Sequence, residues 1–433
     1  MSHTHPATLA QQARNAQRVL GSCSGDTRSR VLRRLSALLA EQKGALIEAN
    51  ELDLRAARSA GLAPALLSRL ALKEDKIATL IQGVDELAAQ SDPLGRILRN
   101  TELDEGLELR QTTSALGVLL IIFESRPDAV IQIGSLALRS GNAVLLKGGS
   151  EAAHSNAALI NCLRAALEAE GLPADAVIGI AGREAIAELL HHDDLIDLVI
   201  PRGSGKLVRS IQDSTRIPVL GHAEGICHTY IDAAADPSMA RRLVIDGKCD
   251  YPSACNATET ILVHEDFLPE LKALGISLEE HRVQLIADHR SKEHLGSASA
   301  ARDEDWSTEY GDLRLSVRVV CSIDEAIDHI HRYGSGHTEV IVTDDTTQAE
   351  RFLSEVDAAS VFHNASSRFA DGYRYGLGAE VGISTGRIHA RGPVGVEGLL
   401  TTRWLLRGRG QGAADYGKGK RSFRHRPLPL DEE

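Results

Sequence analysis

The pattern of apolar residues divides the chain into a helical first part and a longer part in which strands and helices alternate. In residues 28–49 apolar side chains recur at helical spacing, and residues 73–90 repeat that pattern. Asp26 or Thr27 is the expected N-cap of the first of these helices. Further along, residues 118–123 form a continuous apolar run that is typical of a strand buried on both faces.

Strand and helix signals then alternate in two cycles. In the first cycle we predict strands at 143–146, 176–180, 195–200 and 218–220, and helices at 150–170, 184–190 and 204–213. In the second cycle we predict helices at 237–247, 323–330 and 347–356, and strands at 258–263, 316–320, 339–343 and 359–362. Such alternation predicts two α/β units with parallel sheets and a boundary near residues 232–237. Residues 103–113 are expected to form a hairpin outside the main sheets.

The composition is that of an ordinary globular protein with a large core. The 433 residues are 43% apolar, 25% charged and only 3% aromatic, so Leu, Ile, Val and Ala must form the core. The formal net charge of -12 argues against a nucleic-acid-binding protein, and we interpret the basic residues 418–426 as a solvated or loosely docked tail. Scattered cysteines, no signal-peptide pattern and no apolar run of membrane-spanning length predict a cytoplasmic protein with free thiols.

Cys255 lies in a turn before a predicted strand, which is a position suited to a reactive group. Pro252 and Ser253 mark the turn, and Thr258 begins the strand. A cysteine thiolate is strongly nucleophilic and forms a thioester when it attacks an acyl group. A small buried apolar residue is the commoner role of a cysteine, and the spacing alone favours it.

Two glycine-containing turns each connect a predicted strand to a predicted helix in the first α/β unit. Lys147 and Gly148 precede a helix that starts at Ser150, and Gly203 and Ser204 precede the third helix of that unit. Backbone N–H groups in such turns, together with the helix N-terminus, suit a phosphate. Neither turn matches the GxGxxG or P-loop pattern, so ordinary turns with incidental glycines remain the alternative.

Arg126 follows the first buried strand, at the edge where parallel sheets bind ligands. Its guanidinium suits a phosphate or a carboxylate, and an ion pair with Glu124 is the alternative. A zinc site is not predicted, because the spacing of the nearby metal-ligand residue types fits no compact zinc signature. Those residues are His222, Cys227, His228, Cys249 and Cys255.

Several long segments together resemble the aldehyde dehydrogenase superfamily, and most closely its gamma-glutamyl phosphate reductases. The segments follow one another in order between residues 20 and 405. They are residues 123–128, 147–151, 221–228, 248–260, 333–339, 362–372, 378–385 and 388–395. Chance is a poor explanation for segments of this length in a fixed order.

The resemblance implies roles for individual residues. It implies that Cys255 is the catalytic nucleophile, and that its backbone N–H, with Ser125 nearby, stabilises the oxyanion. It implies NADPH as the cofactor, since a neutral Ser150 stands where relatives that prefer NAD often carry an acidic residue. The residues expected to hold the cofactor are Lys147, Gly148, Ser150, Gly203, Ser204 and Glu309. The residues expected to bind the substrate are Arg126, for its phosphate, and His222, Asn256, Asn364, Ser366 and Arg368.

Two departures from the aldehyde oxidisers of the superfamily have chemical meaning. Those enzymes carry a Glu-Leu-Gly-Gly motif whose glutamate activates water, whereas the aligned segment here reads His222-Ala223-Glu224-Gly225. They also carry an oxyanion-binding asparagine where this chain has Ser125, beside Arg126. The missing base and the added positive charge fit a thioester that meets hydride or phosphate rather than water.

The resemblance therefore implies an α/β, aldehyde-dehydrogenase-like fold of two parallel-sheet domains and a small β oligomerisation flap. We expect an NADP-binding domain at residues 1–102 and 117–235, and a catalytic domain at 236–390. The flap and C-terminal tail are expected at 103–116 and 391–433.

The implied reaction is the NADPH-dependent reduction of L-glutamyl 5-phosphate to L-glutamate 5-semialdehyde and phosphate, the second step of proline biosynthesis from glutamate. A cytoplasmic homo-oligomer is expected, with glutamate 5-kinase as a functional partner and neither nucleic acid nor membrane. An oxidative aldehyde dehydrogenase and a non-catalytic binding protein are the alternatives. The residue at position 222 argues against the first, and the intact Cys255 and Lys147 argue against the second.

Overall fold

The computed structural model describes residues 5–203, 205–221 and 224–430, so Ser204 and His222 lie outside the described residues. The α-helices of the described residues are α1 (Pro6–Ser22), α2 (Gly25–Glu41), α3 (Lys43–Ser59), α4 (Pro64–Leu70), α5 (Glu74–Ala89), α6 (Asp128–Arg139), α7 (Ala153–Ala169), α8 (Arg183–Leu189), α9 (Gly205–Gln212), α10 (Pro237–Cys249), α11 (Leu268–Glu280), α12 (His289–Lys292), α13 (Ile323–Tyr333) and α14 (Thr346–Glu355). The strands are β1 (Ile97–Asp104), β2 (Leu107–Ala115), β3 (Val118–Phe123), β4 (Ala143–Lys147), β5 (Val177–Gly179), β6 (Leu198–Arg202), β7 (Cys227–Ile231), β8 (Thr258–His264), β9 (Gln284–Ala287), β10 (Ser299–Ala300), β11 (Arg314–Val320), β12 (Thr338–Val342), β13 (Ser360–His363), β14 (Ile383–Ser384), β15 (Gly392–Pro393), β16 (Leu400–Arg407) and β17 (Arg426–Pro427).

Two parallel sheets form the body of the molecule, and a third, antiparallel sheet stands beside them. The first parallel sheet has the order β5-β4-β3-β6, and the second has the order β10-β9-β11-β8-β7-β12-β13. The antiparallel sheet, called the flap below, has the order β16-β2-β1-β17, and β14 pairs with β15. This arrangement confirms the predicted aldehyde-dehydrogenase-like α/β fold.

The apolar pattern of the strands explains where the core lies. All six residues of β3 are buried, as expected of a central strand with helices on both faces. In β8 the side chains of Ile261 and Val263 join one apolar cluster of the second sheet, while Leu262 between them joins the cluster on the other face. Successive strand residues point to opposite faces, so the second sheet is also covered on both sides.

The helices predicted in the first part of the chain are present, but some of them begin and end at other residues than predicted. The single helix predicted at residues 28–49 is two helices, α2 and α3, which meet at Gln42 with φ -98° and ψ 10°. The N-cap of α2 is Ser24, whose hydroxyl accepts a hydrogen bond from the backbone N–H of Thr27 at 3.2 Å. The helix predicted at residues 73–90 is present as α5.

The pairing of the strands places two domain boundaries at other residues than predicted. The first α/β unit was expected to extend to residue 235, but β7 pairs with β8 and β12 in the second sheet, so the change of sheet lies before Cys227. The flap begins at Ile97 in β1 rather than at residue 103. The strand predicted at 218–220 is a single bridge between Val219 and Val199.

The C-terminal tail is docked along the flap. Its β17 pairs with β1, and Arg421 and Arg424 lie 2.7 and 3.3 Å from the carboxylate oxygens of Asp104. Arg426 pairs with Glu102 at 2.9 Å. The tail therefore covers the edge of β1 and leaves β16 as the long edge strand of the flap. Among the helices of the described residues, none is long and apolar enough to cross a membrane.

Candidate active site

A cleft of about 1220 Å³ lies between the two parallel sheets. The segments that follow β3, β4, β5 and β6 form one wall, so the cleft opens at the carboxyl ends of the first sheet, where parallel sheets bind ligands. The turn before β8 forms the facing wall. The cleft brings together ten of the residues singled out from the sequence: Ser125, Arg126, Lys147, Gly148, Ser150, Gly203, Cys255, Asn256, Glu309 and Arg368.

The backbone of Cys255 is held from one side by two residues that precede and begin β7. A Cβ atom on Gly225 would lie only 2.1 Å from the Cys255 carbonyl oxygen, so the two segments are in direct backbone contact. The Cys227 thiol donates a hydrogen bond to the same oxygen at 3.3 Å. Burial raises the pKa of the Cys227 thiol well above its usual range, so the thiol keeps its proton and remains a donor.

A buried ion pair closes the base of the cysteine turn. Lys248, near the end of α10, donates to Glu259 on β8 at 2.7 Å, and both side chains are fully buried. The second oxygen of Glu259 accepts a hydrogen bond from the backbone N–H of Gly311 at 3.2 Å. Burial raises the pKa of Glu259 to about 7, against the opposing attraction of Lys248. The pair therefore ties the turn to the loop that carries Glu309.

Glu151 holds Ser125 in an uncommon backbone conformation. Ser125 has a φ of 46°, and its backbone N–H and its hydroxyl lie 2.7 and 2.8 Å from the same oxygen of Glu151. Burial raises the pKa of Glu151, but hydrogen bonds from the backbone of Glu151 itself and from Ser125, with the charge of Lys147, outweigh it and lower the pKa overall. The ionised carboxylate accepts the only hydroxyl proton of Ser125.

This geometry corrects the expected oxyanion role of the Ser125 hydroxyl. A hydroxyl has one proton to donate, and here it is directed to Glu151 rather than to the cleft. Among the described residues, the backbone N–H of Cys255 has no hydrogen-bond partner. That N–H is therefore the donor that remains for an oxyanion at the cysteine.

The turn after β4 requires glycines because other side chains of the protein lie directly against its backbone. A Cβ atom on Gly148 would lie 2.1 Å from the side-chain nitrogen of Asn156, and one on Gly149 would lie 2.0 Å from a Glu151 oxygen. Ser150 is exposed at the start of a short 3-10 turn that leads into α7. The backbone of this turn and Lys147 together line one end of the cleft and suit a phosphorylated cofactor.

Two of the predicted substrate-binding residues do not reach the cleft. Asn364 uses its side-chain amide on the backbone of Thr343, with hydrogen bonds of 3.0 and 2.8 Å. Ser366 is buried, and its hydroxyl accepts from the backbone N–H of Arg368 at 3.2 Å. Both side chains are engaged in local backbone contacts, so the expectation that they bind the substrate is not met.

Two further predicted residues line the cleft but have structural partners. Asn256 donates to the backbone oxygen of Ala370 at 2.8 Å, which joins the cysteine turn to the segment after β13. Arg368 is buried and pairs with Asp250 at 3.1 Å, so its charge is balanced within the protein.

The cleft is also lined by Arg202, Glu151 and Glu380, to which no role was assigned from the sequence. Arg202 is the last residue of β6, so the strand-end rule that selected Arg126 also applies to it. Glu151 stands directly after Ser150 in the turn that was selected. Glu380 lies in the segment 378–385 that carries the resemblance, but no strand end marked it as a candidate, because it has no regular secondary structure.

Two of the residues considered for zinc, Cys227 and His228, are engaged in other contacts. His228 and Glu339 form a fully buried pair at 2.9 Å, and Cys227 contacts the cysteine turn. Within residues 5–203, 205–221 and 224–430, no group of three or more His, Cys, Asp or Glu side chains is arranged to hold a metal ion. All six cysteines of the sequence are free thiols.

Comparison with known proteins places the chain among a defined set of relatives. Residues 4–285 match the family model described as the aldehyde dehydrogenase family. The gamma-glutamyl phosphate reductase of Prochlorococcus marinus (strain MIT 9303) is 52% identical over 423 residues, which cover 98% of this chain and 96% of that protein. The Delta-1-pyrroline-5-carboxylate synthase A of Arabidopsis thaliana is 49% identical over 424 residues, which cover 98% of this chain and 58% of that protein.

A solved structure shows the same fold. The crystal structure of gamma-glutamyl phosphate reductase from Thermotoga maritima superimposes with a TM-score of 0.92 and 36% sequence identity. The match covers 94% of this chain and 100% of that one.

We predict that Gly225→Ala disturbs Cys255. The added methyl group would overlap the Cys255 carbonyl, so the variant should be destabilised by about 1–3 kcal/mol and the cysteine turn displaced. Thermal unfolding and the rate of alkylation of Cys255 by iodoacetamide measure both effects. Gly221→Ala is the matched control, since its Cβ would have only ordinary contacts of 3.6 Å or more. Equal behaviour of the two variants would contradict the proposed contact.

Proposed function

The chain belongs to the aldehyde dehydrogenase family and, within it, to the gamma-glutamyl phosphate reductases, and from that membership we propose a specific reaction. The protein reduces L-glutamyl 5-phosphate with NADPH and forms L-glutamate 5-semialdehyde, phosphate and NADP+, the second step of proline biosynthesis from glutamate. The observation that carries the proposal is a cleft lined by Cys255, by both glycine turns and by Arg126 and Arg202, which have no ion-pair partner among the described residues.

The residues at one end of the cleft fit a phosphorylated dinucleotide. The backbone at Gly148 and Gly149 lines the cleft without side chains, and Lys147 adds a positive charge. Glu309 lines the same cleft and is held through the Gly311 contact, where it can accept hydrogen bonds from a ribose. The exposed, neutral Ser150 leaves room for the additional phosphate of NADP.

Cys255 performs the covalent steps of the proposed mechanism. Its thiolate attacks the acyl carbon, the new C–S bond forms, and the C–O bond to phosphate breaks, which leaves a thioester and inorganic phosphate. Lys147 and the backbone at Gly148 and Gly149 would hold NADPH, which would supply the hydride that reduces this thioester. The Cys255 backbone N–H donates to the oxyanion at the acyl carbon in both steps, and the thiohemiacetal collapses to the aldehyde as the thiolate leaves.

The segment before β7 does not place a carboxylate in the cleft where it could activate a water molecule. Its only carboxylate, on Glu224, pairs with Arg209 on α9 and does not line the cleft. The oxidising relatives named above hydrolyse the thioester with a glutamate from this segment. Without that base, the thioester of this protein is left for hydride in one direction and phosphate in the other.

The test runs the reaction backward. Purified protein, L-glutamate 5-semialdehyde, phosphate and NADP+ should give reduced cofactor, followed by absorbance, and Cys255→Ala should abolish the signal. A signal that needs only water as acceptor would instead indicate an oxidative aldehyde dehydrogenase. No signal at all, with an unreactive Cys255 thiol, would indicate a binding protein.

We predict that Ser125→Ala loses little activity. Removal of an oxyanion donor typically lowers kcat by about 10²- to 10³-fold, whereas the Ser125 proton is directed to Glu151. The expected loss in kcat is therefore below about tenfold. If kcat fell several hundredfold in a variant with the melting temperature of the wild type, Ser125 would be an oxyanion donor after all, and the prediction would be wrong.

We also propose that the protein is a homo-oligomer in the cytoplasm, with glutamate 5-kinase as the functional partner that supplies its labile substrate. The edge strand β16 supports the first point, because Trp404 and Leu406 are 51% and 58% exposed on an unpaired edge. A second copy that adds its own strands would bury both side chains. The free thiols fit the reducing compartment.

Light scattering tests the role of this edge. Wild-type protein should have at least twice the mass of one chain, and Trp404→Glu with Leu406→Glu should shift it toward the monomer, because buried unpaired charges oppose association. Val19→Glu, at an exposed apolar residue of α1, is the control and should leave the mass unchanged. A wild-type monomer with full activity would remove the oligomerisation role of the flap.

A further inference from the structure

Arg202 lies beside Arg126 at the ends of two neighbouring strands. It is the last residue of β6 and stands opposite Phe123, the last residue of β3, in the parallel register. Arg126 follows β3 by three residues, and both arginines line the cleft together with Cys255. Parallel strands β3 and β6 thus bring the two arginines to the same edge of the sheet, in the cleft that Cys255 also lines.

Among the described residues, Arg126 and Arg202 lack an ion pair such as the one that Arg368 forms. Arg368 is paired with Asp250 at 3.1 Å, whereas among the described residues neither Arg126 nor Arg202 has a carboxylate within ion-pair distance. Burial lowers the pKa of Arg202, and the charge of Arg126 lowers it further, against weaker opposing attraction from Glu380 and other acidic groups. Two cationic side chains that line the same cleft create a positive region, which favours the binding of an anion.

We propose that Arg202 is a substrate-binding residue and forms, with Arg126, a two-guanidinium site for the phosphoryl group beside Cys255. This inference rests on the proposed function and adds the site of the leaving group to it. A phosphoryl group carries up to two negative charges and three oxygens, which two planar guanidinium groups can bind through paired hydrogen bonds. In the reverse direction the same site holds inorganic phosphate next to the thioester.

The site has a consequence for the leaving group. When the C–O bond to phosphate breaks, the electron pair stays on the phosphate oxygen, and the charge grows where the two arginines lie. Their positive charges therefore stabilise the departing phosphate more than the bound acyl phosphate, which is the condition for a contribution to the rate.

Steady-state kinetics in the reverse direction test the proposal. Arg202→Gln should raise KM for phosphate by about 10- to 100-fold, the loss expected for hydrogen bonds to a charged group, while KM for L-glutamate 5-semialdehyde and NADP+ changes by less than threefold. Arg202→Lys should recover part of the loss because it keeps the charge without the bidentate geometry. Arg209→Gln on α9, outside the cleft, is the arginine control and should leave KM for phosphate unchanged.

Two measurements separate this role from others. Inorganic phosphate should slow the alkylation of Cys255 by iodoacetamide in the wild type and in Arg209→Gln, but not in Arg202→Gln. The melting temperature of Arg202→Gln should be equal to or above that of the wild type, because the repulsion from Arg126 is removed. A structural arginine would lower the melting temperature when removed, and that result would contradict the proposal.

The outcomes also distinguish this inference from the proposed function. Wild-type turnover without any phosphate dependence would overturn the proposed function itself. Phosphate-dependent turnover in which Arg202→Gln keeps a normal KM for phosphate would overturn only the inference. A raised KM for the semialdehyde with an unchanged KM for phosphate would assign Arg202 to the carboxylate of the substrate instead, and would also overturn it.

Discussion

The position of Cys255 depends on the close backbone contact between its turn and the segment that begins β7. The Cys255 carbonyl lies so close to Gly225 that no side chain fits on that residue. The Cys227 thiol donates a hydrogen bond to the same carbonyl oxygen. With the carbonyl fixed from one side, the peptide plane between Cys255 and Asn256 has a fixed direction. Cys255, the proposed nucleophile, is then held at the cleft by contact with a strand of a rigid sheet rather than by a free loop.

The buried pair of Lys248 and Glu259 extends this constraint to the cofactor end of the cleft. It joins the helix before the turn to the strand after it, and through Gly311 it also holds the loop of Glu309. Removing one partner of such a pair typically costs about 3–5 kcal/mol, because the other charge is left buried without compensation. The same strand β8 therefore aligns the nucleophile with the residues proposed for the cofactor.

Some charged side chains of the cleft have partners within the protein, whereas others are placed to bind an anionic substrate. Glu151 is fully engaged by Ser125, and Arg368 is engaged by Asp250, so these groups shape the walls. Arg126 and Arg202 have no such partner among the described residues, and they stand beside Cys255. An acyl phosphate adds a dianion to this position, whereas a plain aldehyde would leave the two cations uncompensated.

The fold was predictable from the sequence where the apolar pattern is long, and less so where tertiary packing decides. Continuous apolar runs such as β3 indicated parallel strands, but no pattern revealed that β7 pairs in the second sheet rather than the first. Lys147 and Arg126 stand next to strand ends and could be selected as candidates on that ground, whereas Cys255 was assigned as the nucleophile through the resemblance. The commitment of Ser125 to Glu151 and of Asn364 to Thr343 depends on distances across the fold, which local sequence does not encode.

In the proposed mechanism, Cys255 carries a thioester that is cleaved by phosphate and not by water. Rapid mixing of the protein with L-glutamate 5-semialdehyde and NADP+, followed by acid quench and intact-mass analysis, measures the acyl adduct on Cys255 directly. We predict an adduct that accumulates in phosphate-free buffer and is lost much faster once phosphate is added. An adduct that disappears at the same rate with and without phosphate would contradict the account.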